Sequence, residues 1–249
     1  MMIQDFETFK NDLRLSKEEI CTELFRQNTD MIRIKKETTA TRNLARIIDS
    51  TLQLANSKGF HAMTLRDLCA DSGLSMGGLY AYIRNKDDLI HLIQSHGFIL
   101  TRRTLVRYTS DIADPLEKLW QAIRAHVFLS ELMRPWFYFS YMEAKSLPEK
   151  EKKDAIAIER EIETIFCSII EEAMDAGSAR EHDNPRLLAA LIKAMMQDWY
   201  LKRRKYYKQN VSVEAFADQI RALVFAYLCG EFPENGRARS DQTLAREMN

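Results

Sequence analysis

The stretch that most constrains the fold of this chain is residues 60–93, which combine short helical segments with a tight, glycine-containing turn. Thr64 and Ser75 stand where side-chain caps of two helices belong, and Gly73 supplies the turn between these helices. Asn85 then caps a further helix that opens with acidic residues, as the positive end of a helix dipole favours. This order of elements predicts a helix-turn-helix.

Capping residues and apolar spacing predict an all-α fold for the rest of the 249 residues, which include only 8 Gly and 5 Pro. Proline follows a capping residue or a leucine at 114–115, 147–148 and 184–185, and each of these pairs predicts the start of a helix. Gly177 and Gly230 are expected to end helices. The other expected helices cover about 16–27, 39–58, 65–71, 76–82 and 85–110, and the last two cover 184–208 and 213–229.

Charge and motif content exclude several functional classes. Lys and Arg total 36, as do Asp and Glu, so the chain is not uniformly basic, yet residues 31–90 carry nine basic against six acidic side chains. The five His and four Cys have no metal-ligand spacing, and no nucleophile or phosphate-loop motif is present. We therefore expect no enzyme activity, no metal and no cofactor. Without a signal peptide or an apolar span, we expect a cytoplasmic protein with no membrane partner.

The second helix of a helix-turn-helix enters the DNA major groove, and its first residues face the base edges. Apolar residues of this stretch have the spacing of a small core, which leaves the opposite face for solvent or DNA. The residues expected on that outward face are Ser75, Met76, Gly77, Gly78, Tyr80 and Tyr82. Adjacent glycines cost a helix about 1 kcal/mol each, which favours a close backbone approach to a partner such as DNA.

The pattern Thr64-x-Arg66-Asp67-Leu68-Cys69-Ala70-x-x-Gly73-Leu74-Ser75-x-Gly77-x-Leu79-Tyr80-x-Tyr82-Ile83-x-Asn85-Lys86-Asp87-x-Leu89 resembles the DNA-binding domain of the TetR family of transcriptional regulators. The resemblance covers about residues 40–92. The chain departs from the common family pattern at Gly78, where Ser or Thr is more frequent, and at Ile83, where Phe is usual.

The resemblance implies two sets of DNA contacts. The side chains expected at phosphate oxygens are Arg42, Thr64, Arg66, Ser75, Tyr80, Tyr82 and Lys86. The residues expected at base edges are Met76, Gly77 and Gly78, with Met76 suited to a thymine methyl group. The alternative for the two tyrosines is that they are ordinary half-buried aromatic side chains.

Dimerisation is expected because one helix-turn-helix reads few base pairs, and two copies would read a near-palindromic operator. In the family the last two long helices form a four-helix bundle with a second copy. The candidate interface residues are Leu188, Leu191 and Met195 on one helix, with Phe216, Ile220, Leu223 and Tyr227 on the other. The alternative is a core within a single chain.

Residues 116–142 are rich in aromatic and methionine side chains, in the region where the resemblance implies a ligand cavity. An ordinary core is the alternative, since aromatic stripes at helical spacing are often core. The candidate effector-binding residues are Trp120, Phe128, Met133, Phe137, Tyr138, Tyr141, Met142 and Trp199. A small lipophilic or aromatic effector suits such a lining.

Together these observations predict four regions. Residues 1–38 form a partly helical extension, 39–92 a three-helix helix-turn-helix DNA-binding domain, 93–231 a larger helical effector-binding and dimerisation domain, and 232–249 a flexible tail. The expected function is a homodimeric repressor that an effector releases from its operator. The alternatives are a DNA-binding helical protein without an effector, or an activator.

Overall fold

A computed structural model describes residues 2–14, 17–143, 149–181 and 184–230 of the chain, and the described part contains helices and no strands. The first helices are α1 (Phe6–Arg14), α2 (Lys17–Gln27), α3 (Glu37–Lys58), α4 (Leu65–Ser72), α5 (Met76–Leu79) and α6 (Lys86–Thr109). The others are α7 (Pro115–Leu132), α8 (Arg134–Glu143), α9 (Glu149–Asp175), α10 (Pro185–Leu201), α11 (Arg203–Lys208) and α12 (Val213–Cys229). The expected tail, 232–249, and the Leu147-Pro148 helix start lie outside the described residues.

The predicted caps account for half of the described helix starts, those of α4, α5, α6, α7, α10 and α12. Asp114 accepts a hydrogen bond from the Leu116 amide at 3.2 Å, and Asn184 accepts one from the Leu187 amide at 2.9 Å. Each side chain satisfies an amide that has no partner within its own helix. The all-α expectation is confirmed, and so are the starts of α7, α10 and α12.

Two predicted helices are wrong in extent. The helix expected over 76–82 ends at Leu79, and the Tyr82 amide returns to the Leu79 carbonyl at 2.9 Å in a tight turn. The helix expected over 184–208 breaks at Lys202, whose φ of −115° and ψ of 27° are not helical. Beyond this break, Arg203 donates to Glu131 of α7 at 2.9 Å, which fixes the start of α11.

The N-terminal extension is an ordered part of the core and includes α1, a helix that was not predicted. Phe9 of α1 is fully buried between Tyr108 and Phe128, with ring centroids 5.4 and 5.7 Å away. Arg124 of α7 donates to the carbonyl oxygens of Ile3 and Gln4, at 2.9 and 2.8 Å. Helix α2 packs on α3 and α6, so the extension contacts both the helix-turn-helix domain and the larger domain.

Helix α6 runs from the helix-turn-helix into the larger domain, where α7 is surrounded by α6, α9, α10 and α12. Trp136 of α8 lies against Gly97 of α6, so closely that an added Cβ at Gly97 would lie 1.8 Å from the indole ring. The indole Nε1 donates to the Ile93 carbonyl oxygen at 2.7 Å. Helix α8 is therefore fastened to the helix that links the two domains.

Candidate DNA-binding face and effector cavity

Short-range side-chain bonds shape the outward face of the helix-turn-helix. Thr64 and Asp67 form a reciprocal capping box at the start of α4, and Ser75 accepts from the Gly78 amide at 3.0 Å at the start of α5. Gly73, with φ of +67°, makes the turn between them in a left-handed conformation that glycine adopts readily. These bonds set the direction of α5 relative to α4.

Most of the predicted DNA contacts do lie on an exposed surface. Met76 and Tyr80 are large side chains left exposed, with Tyr80 42% accessible, and Gly77 has open space where a Cβ would be. The other exposed candidates are Arg42, Thr64, Arg66 and Ser75, whereas Gly78 is half-buried. A protruding tyrosine and bare backbone at a helix N-terminus can approach a phosphate backbone closely.

Tyr82 does not turn outward as expected. It is 1% exposed, and its hydroxyl accepts from Asn43 Nδ2 at 3.0 Å and donates to the Thr39 carbonyl oxygen at 3.4 Å. Because α5 ends early, the chain turns and places this ring against α3. Burial raises the pKa of Tyr82 above its usual value. The ring is part of the core that positions α5.

Lys86 was expected at a phosphate, but its ammonium group is engaged within the chain. It donates to three carbonyl oxygens of the loop between α3 and α4, those of Phe60, His61 and Met63, at 2.5, 3.2 and 2.8 Å. It also lies 4.6 Å from the centre of the Phe60 ring. Burial lowers the pKa of Lys86. This side chain joins the start of α6 to the helix-turn-helix.

A cavity of about 400 Å³ lies among α6, α7, α8, α9 and α10. Phe137 and Tyr141, two of the predicted effector residues, are in its wall. Trp136, from the aromatic region 116–142, and Tyr200 also line it. The lining residues that sequence reasoning missed are Gln94, Phe98, Thr101, His126, Ser140, Lys152, Ile156, Glu159, Ile162, Lys193 and Gln197. Volume and aromatic content suit a small organic ligand.

Three of the predicted effector residues are core side chains instead. Trp120 lies under the guanidinium groups of Arg124 and Arg221, 5.5 and 5.0 Å from its ring centre. Phe128 packs against α1, which the sequence did not predict. Trp199 is fully buried, stacked on Tyr206, and hydrogen-bonded to Glu131. All three are buried against neighbouring elements and are absent from the cavity wall.

The remaining three predicted effector residues lie elsewhere. Tyr138 and Met142 are exposed on the outer side of α8 and are absent from the cavity wall. Met133 lines a second cavity, of about 710 Å³, between the N-terminal extension, α3, α6 and the start of α8. The aromatic side chains of residues 134–142 therefore lie on two sides of α8, some in the cavity wall and others in contact with solvent.

The cavity wall also carries polar groups. His126 is 3% exposed, and burial, followed by the charge of Lys193, lowers its pKa to about 3, so the imidazole is neutral. Lys193 is itself buried and pairs with Glu159 and Glu163 of α9 at 2.8 and 3.4 Å. Ser140 of α8 donates to Gln94 Oε1 of α6 at 3.1 Å. The site is apolar with a few convergent polar groups.

An exposed apolar stripe runs along α10 and α12. Leu187 and Leu191 of α10 are 54% and 53% exposed, and Leu223 and Tyr227 of α12 are 54% and 42% exposed. Among the other predicted interface residues, Leu188 and Met195 are half-buried. Such a contiguous stripe is typical of a protein–protein contact.

Two predicted interface residues face the wrong way. Ile220 is 3% exposed, and Phe216 packs its ring 4.9 Å from that of Trp199. Both lie on the side of α12 that closes the core of the chain. The apolar spacing did not separate the outward face from the core-facing one, because apolar residues occur around most of α12.

Within the part of the chain that the structure describes, no group of His, Cys, Asp and Glu side chains could hold a metal ion. No described helix is both long and apolar enough to cross a membrane.

A helix-turn-helix with an exposed face, joined to a helical domain that encloses a cavity, defines a DNA-binding transcriptional regulator with a ligand domain. Residues 47–93 match the family model of bacterial regulatory proteins of the tetR family, and residues 113–227 match that of the tetracyclin repressor-like C-terminal domain. The two matches span more than half of the chain. The protein belongs to the TetR family of transcriptional regulators.

One relative by sequence and two solved structures are similar to this chain. The HTH-type transcriptional regulator HbdR of Aromatoleum sp. (strain CIB) is 24% identical over 206 residues, covering 81% of this chain and 88% of that protein. AibR, solved with isovaleryl coenzyme A and operator DNA, superposes with a TM-score of 0.63 at 21% identity, over 76% of this chain and 100% of its own. FadR of Bacillus subtilis, solved with stearoyl-CoA, superposes with a TM-score of 0.63 at 20% identity, over 75% of this chain and 98% of its own.

Proposed function

We propose that this TetR-family regulator is a homodimeric repressor that a lipophilic or aromatic effector releases from a near-palindromic operator. The DNA contacts that we retain are those of the exposed residues. They are Arg42, Thr64, Arg66, Ser75, Met76, Gly77 and Tyr80, with Gly78 beside them. Supporting this proposal, AibR and FadR were solved with acyl thioesters, and AibR also with operator DNA.

The observation that carries the proposal is the position of α8 between the cavity and the DNA-binding domain. Phe137 and Tyr141 line the cavity from this helix. On its other side, the Pro135 carbonyl oxygen accepts from Asn56 Nδ2 of α3 at 3.0 Å, and Phe139 packs edge-on against Phe60 at 5.4 Å. A ligand that moves α8 therefore also moves α3.

Such a movement releases DNA only if the ligand prefers the arrangement that does not bind the operator. In a dimer, rotation of each DNA-binding domain changes the separation of the two recognition helices, which must match half-sites about one helical turn apart, ~34 Å. The exposed stripe of Leu187, Leu191, Leu223 and Tyr227 is the proposed dimer surface, a four-helix contact with a second copy.

The test is selection of bound fragments from the source genome by purified protein, with Tyr80→Ala in parallel. We expect a near-palindromic site that the wild type enriches and the variant loses. In the same experiment, Leu191→Glu should yield monomers by sedimentation and lose the site, because one half-site binds too weakly. Equal enrichment by wild type and Tyr80→Ala would contradict the proposed DNA-binding face.

A further inference from the structure

Two buried polar atoms of cavity-lining residues have no hydrogen-bond partner among the described residues: Nε2 of Gln94 on α6 and Nδ1 of His126 on α7. A buried polar atom without a partner destabilises a folded chain, and native structures contain few of them. Two such atoms around one cavity indicate that a ligand supplies the missing hydrogen bonds.

The chemistry of the two groups limits what that ligand offers. The Gln94 side chain already accepts through Oε1 from Ser140, at 3.1 Å, so its Nε2 is the atom left over, and this nitrogen only donates. The neutral imidazole of His126 carries one N–H and one lone pair. With the imidazole proton on Nδ1, this nitrogen donates as well, and one oxygen that accepts two hydrogen bonds satisfies both unpaired atoms.

Charge limits the ligand further. The Lys193 ammonium group lies between Glu159 and Glu163, at 2.8 and 3.4 Å, and also donates to the Glu159 carbonyl oxygen at 3.2 Å. It is therefore already neutralised, while Lys152 lies at the exposed rim. A carboxylate near Gln94 would lose its hydration without gaining an unpaired cation.

We propose that the effector carries a neutral carbonyl group, as in a thioester, an ester or an amide, on an apolar body, and that Gln94 and His126 bind this carbonyl oxygen. The proposal rests on the proposed function, in which the cavity holds the effector. The aromatic side chains Phe98, Phe137 and Tyr200 then surround the apolar body. The two residues select a neutral acyl derivative over its free acid.

The test is calorimetric titration of the full chain with three matched probes: an S-methyl alkanethioate, the free alkanoate and the alkyl methyl ether, at six, eight and ten carbons. We expect the thioester of the preferred length to bind at least tenfold more tightly than the ether, which lacks the carbonyl, and than the charged acid. Gln94→Leu should reduce the advantage over the ether about tenfold, and His126→Phe should reduce it in the same direction.

The matched control is Gln197→Leu, the same chemical change in the wall of the same cavity. The Gln197 amide already donates to Glu159 at 3.4 Å, so this variant should keep the preference for the thioester. Thermal unfolding without ligand gives a second readout that a merely structural role would not produce. Gln94→Leu removes an unsatisfied buried donor but also the acceptor of the Ser140 hydroxyl, so its unfolding temperature should stay close to that of the wild type while it binds the thioester less tightly.

Each outcome decides between the proposals. Equal affinity for the three probes, tightest binding of the free acid, or an unchanged preference in Gln94→Leu would overturn carbonyl recognition. If these same probes still release operator DNA, the proposed function stands alone. If the thioester is preferred but leaves operator binding unchanged, carbonyl recognition stands and the effector role fails. No binding by any probe overturns carbonyl recognition and leaves the proposed function to the operator-selection test.

Discussion

The helix-turn-helix and the effector cavity differ in where their polar groups point and in how far apart in sequence their partners lie. In the helix-turn-helix, Thr64, Ser75 and Asn85 each bond a residue three positions ahead, and the outer face stays exposed. The cavity gathers residues from five helices, from Gln94 to Tyr200, and turns polar atoms inward. Local sequence thus determines the first region, whereas the second depends on the packing of distant helices.

The largest expected effect separates the two neighbouring tyrosines of the DNA-binding region. Tyr82→Ala should lower the free energy of unfolding by about 4 kcal/mol, because it removes a buried ring and its bonds to Asn43 and Thr39. Tyr80→Ala, at an exposed position, should change stability by less than about 0.5 kcal/mol while weakening operator binding. Urea unfolding and fluorescence anisotropy with operator DNA measure the two effects. Similar stability losses in both variants would contradict the assignment of inward and outward rings.

The next effect compares one substitution in both regions. Gly97→Ala should lower the free energy of unfolding by about 3 kcal/mol, because the new Cβ meets the Trp136 ring, which the Ile93 carbonyl oxygen holds in place. Gly77→Ala meets no atom within 4 Å and should leave the free chain as stable or up to about 1 kcal/mol more stable. Its operator affinity should nevertheless fall, since the methyl group separates backbone from DNA. Full operator affinity in Gly77→Ala would rule out close backbone approach.

A smaller effect is expected at Lys86, which connects the regions. Lys86→Met keeps the length of the side chain but leaves the carbonyl oxygens of Phe60, His61 and Met63 without their donor. We expect a loss of about 1–2 kcal/mol in unfolding free energy. The salt dependence of operator binding should be unchanged, because this ammonium group already donates to carbonyl oxygens within the chain. A shallower salt dependence in the variant would restore Lys86 as a phosphate contact.

The smallest effect is a pH dependence at the same junction. A hydrogen bond from the Arg84 guanidinium holds the pKa of Asp88 below its usual value. Burial raises this pKa, and hydrogen bonds from the backbone amides of Arg84 and Asn85 lower it further. Because the folded pKa is lowered, this carboxylate stabilises the fold above the unfolded pKa and loses its contribution as pH falls through the folded value. Asp88→Asn should be about 1 kcal/mol less stable at pH 7 and should lose less stability on acidification. Parallel pH profiles would show that the pair contributes nothing.

Much of the DNA-binding region could be predicted because its caps and turn are local. The orientations of Tyr82 and Lys86 could not, since both depend on α5 ending at Leu79 and on the loop between α3 and α4. Helix α1 left a readable signal that was missed: Phe6, Phe9 and Leu13 are spaced three and four residues apart, as on one helical face.

The cavity was predicted by region more than by residue, since only Phe137 and Tyr141 of the eight candidates lie in its wall. Aromatic density identified α8, but the same helix presents Phe137 to the cavity and Tyr138 to solvent. Gln94 and His126 carry no motif, and the role that we propose for them follows only from unpaired atoms that appear once α6 and α7 are packed. A polar residue on an otherwise apolar helix was the available signal, and it does not distinguish a cavity from a satisfied core hydrogen bond.

The most direct test of the account is to measure the coupling between the cavity and the DNA-binding face. Operator affinity is determined with and without a saturating ligand that raises the unfolding temperature, and ligand affinity is determined with and without operator DNA. We predict that the ligand weakens operator binding at least tenfold, and that operator DNA weakens ligand binding by the same factor, as linkage requires. A ligand that occupies the cavity while operator affinity stays unchanged would contradict the account.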